Sequence, residues 1–148
     1  MSASVTTVPS GAVAFSDEQL AELSMLFRGP IHAPGDAGYE ESRTVENLAI
    51  DRHPGLIIRC SGEADVIDGV NLAREHGLLL AVRGGGHHVA GHGTVDGGLV
   101  LDLSAMKTVT VDADARTARV EAGALLADVD AATQAHGLAL PLGINSTT

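Results

Sequence analysis

Aromatic side chains are almost missing: the 148 residues contain two Phe, one Tyr and no Trp. A buried core must therefore be aliphatic, and there is no platform on which nucleic-acid bases could stack. Positive charge is scarce too, with 9 Lys and Arg against 19 Asp and Glu and a formal net charge of -10. Nucleic acid and anionic membrane are bound by neutralising phosphates, so neither is an expected partner. Lys107 is the only lysine, so a phosphate-bearing ligand would have to be held by backbone N–H groups and an arginine. Cys60 is the only cysteine, which excludes an internal disulfide and fits a reducing compartment. The first fifteen residues lack both the basic start and the apolar core of a signal peptide or membrane span. The expected location is cytoplasmic.

Glycine and histidine are concentrated instead. Between Arg83 and Gly93 the chain reads RGGGHHVAGHG, five glycines and three histidines in eleven residues. Consecutive glycines suit a backbone that takes positive φ or lies directly against a ligand. Leu56, Ile57 and Ile58 upstream form a short apolar strand. Ser61 is placed to cap a helix from about Gly62 to His76 with a stripe of Val66, Ile67, Val70 and Ala73, and Gly77 ends it. Leu78–Val82 is a second apolar strand that runs straight into the glycines. This βαβ unit puts the loop at the carboxyl end of a buried strand, where open α/β sheets place ligands.

The flanking segments are plainer. Met1–Phe15 reads as a loose arm. Ser16 and Gln19 form a capping box for a short helix with a Leu20, Leu23, Phe27 stripe, and 31–47 reads as an irregular connection. After the loop, Leu99–Leu103, Val109–Val111 and Ala118–Glu121 read as antiparallel strands, with Asp112 and Asp114 in a turn. A second helix follows over Ala124–His136, bounded by Gly123 and Gly137. The expected fold is α+β, a parallel βαβ subdomain followed by an antiparallel β subdomain with one helix. The chain divides into 1–53, an arm, helix and connection, and 54–148, the ligand-binding part.

Four readings of the loop compete. A dinucleotide fingerprint must open a helix, and here TVDGGLVLDLS follows, a strand pattern. A phosphate-binding P-loop needs lysine and a hydroxyl where His92 and Gly93 stand. His87, His88 and His92 leave a metal site open, although no carboxylate or cysteine joins them at familiar ligand spacing. A flavin loop uses every residue type present: arginine and glycine amides for a pyrophosphate, histidine for the ring. Elsewhere, His76 and His136 read as helix-end residues, Asp102 as an acceptor for a turn amide, and Cys60 as a small buried residue.

The motif RGGGHHVAG (Arg83–Gly91), with DGGLVLDLSAMKTVTVD, VEAGALLADV and PLGINSTT after it, resembles the flavoproteins with a vanillyl-alcohol oxidase type (PCMH-type) FAD-binding domain. Within them it is similar to the berberine bridge enzyme-like oxidases. The resemblance covers nearly everything from Pro54 onward. It implies FAD as cofactor, joined covalently through its 8α-methyl group to His87, a tether that makes a flavin a stronger oxidant. It also places Arg83, Gly84, Gly85 and Gly86 along the pyrophosphate, with His88 and Gly91 beside them, and Gly143, Asn145, Ser146, Thr147 and Thr148 as a second wall.

Asn145 stands where some members carry a second linking cysteine, so a single histidyl link is expected. The family's chains continue well past the position of Thr148, through the segments that carry the catalytic base and substrate pocket. The resemblance thus implies the N-terminal portion of an oxidase that takes a hydride from an alcohol, amine or sugar-like small molecule and passes electrons to O2. The 148 residues alone would be inactive, lacking the C-terminal portion as partner. A noncatalytic nucleotide-binding or interaction module is the alternative.

Overall fold

Alternation of small apolar and polar residues at the start of the chain produces a hairpin, β1 (Ala3–Thr7) with β2 (Gly11–Phe15), paired antiparallel from Ala3↔Phe15 to Thr7↔Gly11. The computed structural model describes residues 2–8, 11–143 and 145–148. The expected loose arm is therefore corrected: Ala3, Val5 and Phe15 are buried in the main core. Their partners lie far along the chain. Thr6 donates its N–H to Gly97 O at 2.6 Å, and Thr6 O accepts from Leu79 N–H at 2.8 Å.

Helix α1 (Asp17–Leu26) opens on the expected capping box, with Ser16 Oγ accepting from Gln19 N–H and Gln19 Oε1 accepting from Ser16 N–H. Leu23 and Phe27 are buried and Leu20 packs beside them. The connection that follows contains a two-residue strand, β3 (Ile31–His32), and a short helix, α2 (Tyr39–Arg43).

Strand β4 (Leu56–Arg59), helix α3 (Glu63–His76) and strand β5 (Leu80–Arg83) supply the expected βαβ unit, but β4 and β5 are not neighbours. Strand β6 (Leu99–Asp102) lies between them, parallel to both, in the order β3-β4-β6-β5. The antiparallel reading of Leu99–Leu103 is thus corrected. An apolar run buried at every position belongs at the centre of a parallel sheet covered on both faces. Side chains alternate across that sheet. Leu56, Ile58, Leu99 and Leu101 face the hairpin, α1 and α3, while Ile57, Val100 and Ala81 pack with Tyr39 on the other face.

Helix α3 buries half of its expected stripe: Ala73 lies in the core and Val66 packs against it, with Asp65, Gly69 and Leu72 on the same side, whereas Ile67 and Val70 are exposed. Asp65 anchors that face. Its carboxylate accepts from Arg28 N–H (3.0 Å), Ser61 N–H (2.8 Å) and Ser61 Oγ–H (2.9 Å), so Ser61 donates to the helix's first turn rather than capping it. That anchor points Gly69 at Leu101, whose Cδ2 lies 2.5 Å from where a β-carbon would stand. Burial pushes the Asp65 carboxyl up, but the amides of Arg28, Ser61 and Gly29 and the Ser61 hydroxyl outweigh it and leave it below the ordinary carboxylate range.

The last part of the chain is an antiparallel hairpin, β7 (Val109–Asp112) with β8 (Thr117–Val120), followed by helix α4 (Leu126–Gln134). Asp112 Oδ1 accepts from Ala115 N–H at 2.9 Å and closes the hairpin turn. Among the described residues no helix is long and apolar enough to cross a membrane.

Replacing Asp65 with Ala strands two backbone donors and a hydroxyl that the fold has withdrawn from water. The expected loss is about 2–3 kcal/mol in urea unfolding, with Asp65→Asn intermediate. A midpoint unchanged in both variants would contradict the anchoring role.

Candidate functional site

The parallel strands end on a charged rung. Arg59, Asp102 and Arg83 stand in register across β4, β6 and β5, after three rungs that are wholly apolar. Arg83 and Asp102 are buried, at 6% and 5% exposure, and so survive only as a pair with their remaining valences met. Arg83 Nη2 donates to Asp102 Oδ2 at 2.8 Å and to the Ser42 carbonyl, and Asp102 Oδ1 accepts from Ser104 N–H at 2.9 Å. Asp102 therefore binds a turn amide as expected, and holds an arginine as well. Burial raises its carboxyl, but the Ser104 amide and Arg83 together take it below the ordinary range. The Arg83 guanidinium, expected along a pyrophosphate, is mostly engaged inside the protein. Its Nη1 is buried with no partner among the described residues.

The glycine loop leaves β5 from that rung. Gly84 runs so close to the Ala122 carbonyl that no β-carbon fits between them. Gly91 has φ +71° and packs on Ile50, whose Cγ2 lies 2.7 Å from where a β-carbon would stand. The loop's carbonyls and amides fare differently. Gly86 O accepts from Glu46 N–H (3.3 Å), Val89 O from Asn47 Nδ2 (3.0 Å), and Gly91 O and Thr94 O from Arg52 Nη1 (3.2 and 2.7 Å). Among the described residues, by contrast, none of the N–H groups from Gly84 through Val89 has an acceptor. Six successive donors without protein partners are open to solvent or to a ligand.

His87 folds back over Gly85, its Cδ2 2.7 Å from where a β-carbon of Gly85 would stand. Among the described residues no group hydrogen-bonds either ring nitrogen. His88 and His92 lie with ring centroids 4.5 Å apart, and His88 Nδ1 accepts from Ala90 N–H at 3.1 Å. The three histidines line one cleft of about 250 Å³ together with Arg83–Gly86. Among the described residues no three His, Cys, Asp or Glu side chains are placed to hold a metal ion.

A second cleft of about 180 Å³ adjoins the first and is lined by Arg59, Arg83, Gly84, Gly85, Asp102 and Ser104. A third, of about 530 Å³, lies between Gly85 and Thr44–Leu48. None of these three clefts is lined by Gly143, Asn145, Ser146, Thr147 or Thr148. Those residues sit at the start of α4, where Thr148 O accepts from Leu126 N–H (2.9 Å) and Ser146 O from Ala127 N–H (3.1 Å). The physical reason is local: Leu125 stands at the N-cap and has no side-chain acceptor for first-turn amides, so these carbonyls take that part.

Ser42, Asn47, Ile50 and Arg52 were not expected at the site. Ser42 and Asn47 come from the connection 31–47, whose lack of periodicity hid any role, and Ile50 and Arg52 from the residues just after it; only the tertiary contacts show that this segment wraps the loop.

Residues 54–148 match the FAD binding domain family. The FAD-linked oxidoreductase YgaK of Bacillus subtilis is 38% identical over 115 residues, which are 78% of this chain and 26% of that protein. Among solved structures, the chain is similar to 6-hydroxy-D-nicotine oxidase from Arthrobacter nicotinovorans (32% identity, TM-score 0.76, 82% of this chain and 27% of that one). It is also similar to Physcomitrella patens BBE-like 1 (28% identity, TM-score 0.74, 84% and 28%). The chain thus spans about a quarter of the length of these relatives.

Because the folded Asp102 carboxyl titrates below its ordinary value, its stabilising contribution is complete above about pH 4 and is lost as pH falls through the lower folded value. Urea unfolding between pH 3 and 7 is expected to show a shallower acid limb for Asp102→Asn. Asp102→Ala should lose about 3–5 kcal/mol at pH 7, because it leaves the Arg83 charge buried and unpaired. A wild-type acid limb in Asp102→Asn would count against the pair.

Proposed function

Since the chain belongs to the FAD binding domain family of the FAD-linked oxidoreductases, we propose that the loop Gly84–Val89 receives the pyrophosphate of FAD and that His87 carries the flavin through a single covalent bond. The observation that carries this is the run of six N–H groups, Gly84 through Val89, without acceptors among the described residues. In a chain of net charge -10, aligned amides hold a dianion without the cations the sequence lacks. Arg59 and Arg83 line the adjoining cleft together with Asp102 and Glu41, so its charges balance and the amides remain the anion-facing donors of this reading.

FAD supplies the redox chemistry, accepting a hydride from the substrate. The protein's own residues bind and aim it. His87 lines the cleft next to those amides; its unprotonated ring nitrogen would bond to the flavin's 8α-carbon as a C–H bond there breaks, with protons leaving to solvent and the electron pair passing into the flavin ring and on to O2, the acceptor this reading names. A second, cysteinyl link has no candidate. Cys60 is fully buried, and burial, with Asp65 and Asp102 adding to it, pushes its thiol up to about 11.

The whole protein, on this reading, oxidises an alcohol, amine or sugar-like small molecule and uses O2 as acceptor. Support comes from the oxidase among its structural relatives. The 148 residues alone are inactive on the same reading, which the short span, about a quarter of the relatives' length, supports.

Acid precipitation of the full-length polypeptide carrying this sequence is expected to leave flavin in the pellet. The His87→Ala variant should release all of it to the supernatant. Flavin retained by His87→Ala, or released entirely by the wild type, would overturn the assignment.

A further inference from the structure

The loop is gripped on one side of its backbone chemistry only. Every contact that residues 46–52 make with it by hydrogen bond ends on a carbonyl: Glu46 N–H on Gly86 O, Asn47 Nδ2 on Val89 O, and Arg52 Nη1 on Gly91 O and Thr94 O. The amides of the same stretch, Gly84 through Val89, are left without acceptors among the described residues. His87 lies between two of the gripped carbonyls, one residue after Gly86 and two before Val89.

The collar that does the gripping is itself stapled. Arg43 donates to Glu40 Oε2 at 2.6 Å, to Asp51 and to the Arg52 carbonyl at 3.2 Å, closing 40–52 into a loop. Tyr39 is buried and donates its hydroxyl proton to Pro54 O at 2.8 Å, which ties the collar's base to the start of β4. Asn47 uses both ends of its amide, with Oδ1 accepting from Ala49 N–H at 3.2 Å while Nδ2 donates to Val89 O. Its orientation is thereby set. Two apolar contacts complete the fit, Val45 on Gly86 and Ile50 on Gly91.

The geometry points to Asn47 and Arg52 as positioning residues for the anion loop: they hold it by its acceptors so that its donors stay turned out to a ligand. A glycine-rich segment has more backbone freedom to lose than any other. Fixing three of its carbonyls in advance removes much of the ordering cost that binding would otherwise meet. Neither residue touches the ligand on this view. The inference rests on the flavin reading of His87 for its functional consequence, but not for the mechanical one.

Asn47→Asp removes the donor to Val89 O while keeping size and the Ala49 contact. Arg52→Lys keeps the charge and loses the fork that reaches two carbonyls. Both are made in the full-length polypeptide carrying this sequence, and two quantities are read. Hydrogen exchange of peptides spanning 84–94, where Ala90, Gly91 and Thr94 donate bonds inside the loop, is expected to quicken about tenfold in Asn47→Asp, the loss of one hydrogen bond. Arg52→Lys should give a smaller increase, and Arg52→Ala at least as large a one as Asn47→Asp.

Acid-stable flavin is expected to fall in the same order while the urea midpoint stays within error of wild type. Unchanged exchange in 84–94 for both Asn47→Asp and Arg52→Ala would overturn the proposal. So would flavin loss that simply tracks a fall in midpoint, the mark of a merely structural role. If the wild type itself releases all its flavin to acid, the His87 linkage fails, and the exchange rates still decide whether the collar holds the loop.

Discussion

A charge pair placed at the end of an apolar sheet governs how this chain is arranged around its candidate site. Arg83 and Asp102 occupy the last rung of adjacent parallel strands, buried where either alone would be very costly. Their bond joins β5 to β6 at the point where β5 becomes the glycine loop. Through the Ser42 carbonyl, Arg83 also draws in the connection that precedes β4. Sheet, loop and collar therefore meet at one guanidinium. Its leftover Nη1 marks the place where the protein has not satisfied itself.

The distribution of hydrogen bonds around the loop follows from scarcity. With a single lysine and a net charge of -10, the chain has few cations to spend on a dianion. Peptide N–H groups are partial positive charges that need no counter-ion, provided that nothing in the protein competes for them. The structure meets that condition by occupying carbonyls and leaving the amides of Gly84–Val89 unused. Membership of an FAD binding domain family is the ground on which FAD is proposed as the ligand of this loop.

The candidate site is partly legible in the sequence. RGGGHH stood out because glycine and histidine carry their chemistry locally, and the apolar run before it marked a strand. The collar was silent, because Ser42, Asn47 and Arg52 act through single contacts with residues about forty positions later, which leave no periodic trace. In Asn145–Thr148 the carbonyls of Ser146 and Thr148 accept the first amides of α4, a contact that the sequence of this polar, turn-rich string does not announce. Helix α3 is legible as a helix but only partly by its face: Val66 and Ala73 pack on the core as their spacing suggests, while a buried Asp65 with three donors leaves the apolar residues at 67 and 70 outside.

What the sequence alone determined were the quantities that depend on neighbours along the chain: the strand–helix–strand unit, the capping box at Ser16, the β7–β8 turn, and a bare backbone next to imidazoles. Tertiary structure decided what depends on distant partners. It put β6 between β4 and β5, paired Ala3–Thr7 with Gly11–Phe15, and brought the collar onto the loop. The division has a physical basis. Propensity and periodicity are written into consecutive residues, whereas strand order and the pairing of a buried charge are settled only when segments remote in the chain compete for the same hydrogen bonds and the same apolar surface.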